Sequence, residues 1–301
     1  MAGGIISFIL LYSIYRQVGH QLVGIDHNAW RQTGPPAYLA MGILLMFVNV
    51  FLEGSKWYLL SRTVVAVSYG RAFASYLAGI AFSIITPNRI GEYPGRILYL
   101  GNNAYRYIAV AISGISAQLL SLYIFGICGL VYYNIFFPAL IAKAALALCL
   151  ISVVIMMVIY WRFDIWLPLI SKIKFLRRFS IYGRLLNNVI ARKRLLVLGM
   201  SLLRYLVFTA QYLFLLRWMN VIVPADQGFC MAALFFWLLG VIPSIALTEL
   251  GVRGSLSLYL FHHFSNNTLG ILAATMGIWL LNLILPSIIG SLLIMKMKLL
   301  R

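Results

Sequence analysis

Long apolar runs separated by short polar breaks make up most of the chain. A membrane-crossing helix needs about 20 mostly apolar residues at 1.5 Å each. Long unbroken apolar runs exclude a transmembrane β-barrel, because barrel strands alternate apolar and polar side chains. The pattern therefore predicts an all-α polytopic membrane protein with about six crossing helices, at residues 1–16, 36–60, 106–133, 138–161, 195–219 and 266–294.

Two further apolar segments, residues 71–100 and 228–260, are interrupted by a proline and a small polar patch. We predict that each is a re-entrant helix, which enters the membrane, breaks near Pro87 or Pro243, and returns. Irregular backbone at that depth is tolerated only inside the protein or along a cavity. Paired interrupted segments of this kind point to a translocation site.

The two broken segments belong to two related halves. The prolines are 156 residues apart, and the same offset superposes Phe73 on Phe229. We predict pseudo-repeats at about residues 36–161 and 195–295. If the broken segments are re-entrant, three crossings separate the equivalent spans and the repeat is inverted; if each is a full crossing, the repeat is parallel. Residues 72–86 are shorter than a span needs, which favours the inverted form.

Composition and charge agree with this class of protein. Hydrophobic residues make up 63% of the chain against 10% charged, and 24 Lys and Arg against 6 Asp and Glu leave a net charge of +18. Basic residues beside apolar spans mark cytoplasmic loops and anionic lipid, so we expect no nucleic-acid partner. The soluble segments are too short for a globular catalytic domain, which makes residues 1–301 a single transmembrane domain.

The connection between the halves, residues 162–194, carries nine Lys and Arg against one Asp. Such a bias predicts a cytoplasmic loop and places both termini in the cytoplasm, in an inner-membrane protein. The first broken segment then opens from the cytoplasm and the second from outside. Apolar residues among the loop's basic ones are compatible with an amphipathic helix on the inner leaflet, or with a solvated connector.

Glu53 and Lys56 are the first candidate polar pair inside the membrane. Their spacing of three residues puts them on one helix face. An ionisable group at this depth costs several kcal/mol and needs a partner or a role. The pair is either an internal ion pair or a contact for a charged headgroup.

The first break holds a polar patch that suits a ligand. Proline lacks a donor and glycine permits unusual dihedrals, so backbone groups are freed. Arginine offers a planar fork of donors that matches phosphate. In the alternative interpretation the arginines anchor a cytoplasmic turn and the glutamate neutralises them. The candidate binding residues are Pro87, Asn88, Arg89, Gly91, Glu92 and Arg96.

The second break holds Glu249 and Arg253, four residues apart, which a helix would pair directly. Such a pair is often only structural, but its place at the repeat-equivalent position makes it a second candidate site. Elsewhere, Arg204 in an apolar run is interpreted as snorkelling or paired. Trp57 and other aromatic residues near span ends predict the interfacial belt.

Three motifs in this chain resemble those of the lysylphosphatidylglycerol synthase transmembrane region, a flippase-like family that also occurs as standalone membrane proteins. The segment from Pro87 to Glu92, with Arg96, looks like its P-x-R-x-G-E signature. Glu53 with Lys56-Trp57 resembles its second-span signature, and residues 250–253 resemble its L-G-x-R. In this chain Thr-Glu precedes that last motif and Gly follows it, where the family commonly has Gly-Gly and Glu. The resemblance implies a protein that moves a lipid and does not make one.

The leading hypothesis is therefore a translocase for an amphipathic lipid with an anionic or phosphate headgroup, in cell-envelope lipid metabolism. Its partners would be membrane lipids, and we expect no enzyme activity, cofactor or metal. A second hypothesis is a non-transport subunit that docks an envelope glycosyltransferase or lipid synthase through the basic loop. A third, an enzyme acting on polyprenyl phosphates, would need a clustered acid or metal site, and the six acidic residues are scattered.

Overall fold

The computed structural model describes residues 12, 33–84, 86, 89–101, 104–162, 193–242 and 249–295, the side chains of 104, 105, 109, 249 and 250 excepted. Within these ranges the chain is helical almost throughout and has no strand. The helices are α1 Pro36–Ser61, α2 Tyr69–Ser83, α3 Glu92–Leu100, α4 Ala104–Phe136, α5 Leu140–Trp161, α6 Arg194–Trp218, α7 Ala225–Val241, α8 Glu249–Phe261, α9 Thr268–Trp279 and α10 Leu285–Met295, and a π-helical turn, Leu280–Ile284, joins α9 to α10.

Five of these helices are long and apolar enough to cross a membrane: α1, α4 from Arg106 onward, α5, α6, and the continuous rod from α9 to α10. They coincide with five of the six runs predicted from the sequence. The remaining run, residues 1–16, lies outside the described residues apart from residue 12. The predicted all-α polytopic fold is confirmed.

Both interrupted segments form a helix, a break and a second helix. In the first half α2 ends at Ser83 and α3 begins at Glu92; in the second half α7 ends at Val241 and α8 begins at Glu249. At 1.5 Å per residue, α2 and α7 are about 22 and 25 Å long, short of the ~30 Å hydrocarbon core. The local helix–break–helix pattern is as predicted.

The spanning helices α1 and α6 run antiparallel against each other. At one end the Gly34 amide donates to the Trp218 carbonyl at 2.6 Å. Further along, Gln211 Nε2 donates to the Gly42 carbonyl at 3.0 Å. Residues later in α1 therefore meet residues earlier in α6.

The packing between the halves is reciprocal. The first helix of the second break, α7, packs along α4, and the first helix of the first break, α2, packs along α10. In each pair, the two helices approach each other closely at a glycine. A Cβ at Gly129 would meet the Cys230 carbonyl, and a Cβ at Gly290 would meet the Leu77 carbonyl. The backbones of each helix pair are therefore in direct contact.

The helix ends that border the basic loop lie together. Tyr160 Oη donates to the Arg194 carbonyl at 2.7 Å, and Arg194 Nη1 donates to the Trp161 carbonyl at 2.6 Å. These bonds join the end of α5 to the start of α6. The amphipathic helix predicted for the loop falls within residues 163–192, outside the described part of the chain.

Candidate functional site

Glu53 is the centre of a buried cluster of charges. Its side chain is fully buried in α1, and each carboxylate oxygen is contacted by at least one cation. Lys56 Nζ lies 2.7 Å from Oε2, Arg204 Nη1 lies 3.0 Å from the same oxygen, and Arg96 Nη2 lies 3.1 Å from Oε1. The predicted Glu53–Lys56 pair is thus present, but it is part of a larger assembly drawn from α1, α3 and α6.

Arg96 connects this carboxylate to the first break. It forms an ion pair with Glu92, one turn earlier in α3, as well as with Glu53. Its guanidinium carbon lies 4.5 to 5.2 Å from three aromatic ring centroids, a cation–π arrangement. The rings belong to Trp57, Tyr76 and Tyr93.

Only 1% of Arg96 is exposed, so it does not anchor a surface turn. In this conformation it is enclosed by its two carboxylates and three rings. The structure thus brings together four of the predicted candidates, Glu53, Lys56, Glu92 and Arg96, as one network. A ligand outside the protein would not reach Arg96.

Arg204 extends the cluster toward α4. Its Nε donates to Asn49 Oδ1 at 2.7 Å, and its Nη1 also donates to Gln118 Oε1 at 3.0 Å. Because guanidinium donors are directional, these bonds fix the plane of the Arg204 fork. The sequence interpretation of Arg204 as snorkelling or paired is confirmed for the pairing, but it did not predict that Arg204 belongs to this central cluster.

A chain of side-chain amides continues from Asn49 to the last spanning rod. Asn49 Nδ2 donates to Asn282 Oδ1 at 2.9 Å, and Asn282 Nδ2 donates to Gln211 Oε1 at 2.9 Å. Asn282 lies within the π-helical turn between α9 and α10. Such turns occur often at functional sites. Sequence reasoning missed these residues, although amide side chains inside apolar spans were a usable signal.

The cluster lies near the middle of the spanning helices. Counting from the helix ends, Glu53 is about 12 Å from the end of α1 and Arg204 about 15 Å from the start of α6. A hydrocarbon core is about 30 Å thick. The charges therefore lie at about mid-depth when α1 and α6 cross a bilayer.

The described residues of the first break lie close to α2. Arg89 is half-buried and has a φ of +57°, in the left-handed region that few non-glycine residues adopt. The Gly91 amide donates to Thr86 Oγ1 at 2.8 Å, and a Cβ at Gly95 would meet the Phe82 ring. Gly91 and Gly95 thus let α3 fold closely back on α2. Residues 87 and 88 are not among the described residues.

The second break is described only in part. Residues 243–248 fall outside the described chain, as does the side chain of residue 249, so the predicted pairing of Glu249 with Arg253 is not tested. Arg253 itself is buried, with 7% of its surface exposed.

Trp57 does not belong to the interfacial belt, so that prediction is wrong. The side chain is fully buried, and its Nε1 donates to Ser75 Oγ at 2.7 Å. That bond joins α1 to α2, and the Trp57 ring also faces the Arg96 guanidinium. Among the described residues, no three His, Cys, Asp or Glu side chains are grouped as metal ligands would be.

Comparison with known proteins agrees with the motifs. No curated protein and no solved structure matches the chain. The sequence matches the family described as "Lysylphosphatidylglycerol synthase TM region" over residues 1–290, which is nearly its whole length. The chain therefore belongs to the lysylphosphatidylglycerol synthase transmembrane-region family.

Proposed function

We propose that the protein translocates an amphipathic lipid with an anionic or phosphate-bearing headgroup across the membrane, as part of cell-envelope lipid metabolism. The observation that carries this proposal is the charged cluster around Glu53 at mid-depth. Ionisable groups inside a membrane are costly, and where they occur they mark substrate or ion pathways. Family membership supports a role in lipid metabolism.

The cluster joins elements that would have to move against each other. Glu53 lies in the first half, Arg204 in the second, and Asn282 in the last spanning rod. Shifting one half against the other would break and remake hydrogen bonds around a fixed site. Transporters built from inverted repeats rock in this way about a site at the midplane.

We infer that the two halves form an inverted repeat with re-entrant broken segments. The offset of 156 residues places the start of α2 on the start of α7, and it places α1 on α6 within two residues. These equivalent helices, α1 and α6, are antiparallel. The lengths of α2 and α7 and the reciprocal packing on α10 and α4 support the same inference.

The orientation proposed from the sequence fits the helix ends. Arg62, Arg71, Arg106 and Arg162 are exposed at helix ends on the side where the basic loop joins. We propose that this side faces the cytoplasm, with both termini, because basic residues concentrate on cytoplasmic ends. The lipid headgroup would then reach the cluster from the cytoplasmic side, while its acyl chains remain in the bilayer. The proposed role involves no covalent step.

Reconstitution tests the proposal. The purified full chain is placed in phosphatidylcholine vesicles that contain trace fluorescent phosphatidylglycerol, phosphatidylethanolamine or phosphatidylserine. Quenching of the outer leaflet measures translocation, with and without an imposed proton gradient. We expect faster movement of at least one lipid than in protein-free vesicles and in vesicles with an unrelated helical membrane protein. Rates equal to these controls for every headgroup would contradict the proposal.

The docking alternative depends on the basic loop. Deleting residues 172–184 separates the two functions, because a docking subunit would lose its partner while translocation in vesicles would survive.

A further inference from the structure

Arg204 is the most exposed cation of the ion cluster. Its side chain is 23% exposed, whereas those of Lys56 and Arg96 are at most 2% exposed. Nε and Nη1 are engaged by Asn49, Glu53 and Gln118. Within the described chain, Nη2 makes no hydrogen bond. Two N–H donors of a fixed guanidinium fork therefore remain available.

The cluster also carries an unbalanced charge. Three cations, Lys56, Arg96 and Arg204, face two carboxylates, Glu53 and Glu92, which leaves one positive charge. An uncompensated charge at mid-depth is costly, so a single negative charge beside the cluster would be stabilised there.

A second donor lies next to Arg204. Gln118 on α4 is exposed, and its Oε1 accepts from Arg204 Nη1. That bond uses the amide oxygen of Gln118 and leaves the two N–H donors of its amide nitrogen. These donors make no hydrogen bond to the described residues. Arg204 and Gln118 thus present adjacent open donors between α6 and α4.

We propose that Arg204 Nη2, with the Gln118 amide nitrogen, binds the phosphate of a lipid headgroup that carries one negative charge, as in a phosphodiester. Arginine suits this task because its planar fork meets two phosphate oxygens at once. Arg96, predicted from the sequence as a headgroup contact, acts instead by holding Glu53 and Glu92 in place. The inference rests on the proposed function in taking a lipid as the ligand, but binding and translocation are separate measurements.

The test is lipid binding by the purified full chain in dodecyl maltoside micelles. A ligand that binds the folded state raises the thermal unfolding midpoint as its concentration increases, which yields an affinity. The probes are phosphatidylglycerol, diacylglycerol, and glycerophosphoglycerol, which is the headgroup without acyl chains. The variants are Arg204→Gln, Arg204→Lys and Gln118→Leu, and the matched control is Arg62→Gln, which removes an exposed arginine at the end of α1.

We expect Arg204→Gln to weaken phosphatidylglycerol binding about 10- to 100-fold. This is the change in affinity that corresponds to the loss of one hydrogen bond to a charged group. Arg204→Lys should weaken it because the fork is lost, Gln118→Leu should weaken it several-fold, and Arg62→Gln should leave it unchanged. Diacylglycerol should respond equally in all variants.

Equal phosphatidylglycerol affinity in wild type and both Arg204 variants would overturn the inference, as would equal stabilisation by diacylglycerol and phosphatidylglycerol. Glycerophosphoglycerol binding as tightly as the lipid would show a soluble phosphate ligand and overturn the lipid assignment. If phosphatidylglycerol binds through Arg204 but does not cross vesicles, the inference stands and the proposed function fails.

Discussion

The two halves of the molecule share a backbone plan but carry different chemistry at the same place. With the offset of 156 residues, Glu53 and Lys56 of α1 correspond to Thr209 and Tyr212 of α6. Tyr212 is fully buried, its hydroxyl pairs with that of Thr275 at 2.8 Å, and its ring stacks on an aromatic neighbour. One half therefore holds ions where the other holds an aromatic core.

This difference indicates that the repeated backbone and the charged side chains have separate roles. The reciprocal packing of α2 on α10 and α7 on α4 needs only close backbones and apolar faces, so both halves can provide it. The charges need one carboxylate with several cations, and a single copy suffices. We infer that the repeat forms the frame, and that the binding chemistry is assembled once, where Arg204 of the second half meets the Glu53 carboxylate of the first.

The largest expected effect comes from removing the central carboxylate. Glu53→Gln leaves Lys56 and Arg96 buried with only Glu92 to balance them, and we expect a loss of about 3–5 kcal/mol in the free energy of unfolding. The equivalent change in the other half, Thr209→Val, removes no charge and should cost less than about 1 kcal/mol. Thermal unfolding in dodecyl maltoside measures both. Equal losses would show that the two sites do not differ as the structure indicates.

A smaller effect is expected from breaking the amide chain. Asn282→Leu leaves Asn49 Nδ2 and Gln211 Oε1 without their partner, at a cost of about 1–3 kcal/mol. Thr275→Val, which removes the hydroxyl partner of Tyr212, should cost about 1 kcal/mol. The same unfolding measurement compares them. If Thr275→Val proved the more damaging, the amide chain would not be the stronger of the two polar connections between the last rod and the helices it packs against.

The smallest effect concerns the aromatic cage around Arg96. Tyr93→Leu removes the nearest of the three rings, 4.5 Å from the guanidinium, and should cost about 1–2 kcal/mol. Tyr93→Phe keeps the ring and should remain within about 0.5 kcal/mol of the wild type. A loss of the same size in both variants would assign the effect to the hydroxyl group and not to the ring.

Features that depend on neighbouring residues could be predicted from the sequence. Five spans followed from local hydrophobicity, the two breaks from proline and glycine, and the Glu53–Lys56 pair from its spacing on one helix. In each case the physical cause lies within about one helix of sequence.

Features that depend on tertiary packing could not be predicted from the sequence. Arg96 reaches Glu53 only because α3 folds back on α2, which packs against α1. Arg204 reaches it only because α6 runs antiparallel to α1. Trp57 was misplaced because a tryptophan near a span end has the same sequence context whether its ring faces lipid or the core. The surplus charge of the cluster became visible only once its five members were in one place.

The most direct test of the central claim is the rate at which Arg204→Gln moves fluorescent phosphatidylglycerol across vesicles, with Arg62→Gln as control. Both variants lose one arginine, but only the first removes the open donor group from the mid-depth cluster. We predict a rate at least about tenfold below wild type for Arg204→Gln, since the loss of about 1.4 kcal/mol or more of headgroup binding corresponds to a factor of ten. The control should keep the wild-type rate. Equal rates for the two variants, at equal amounts of folded protein, would contradict the claim that the lipid headgroup passes the cluster.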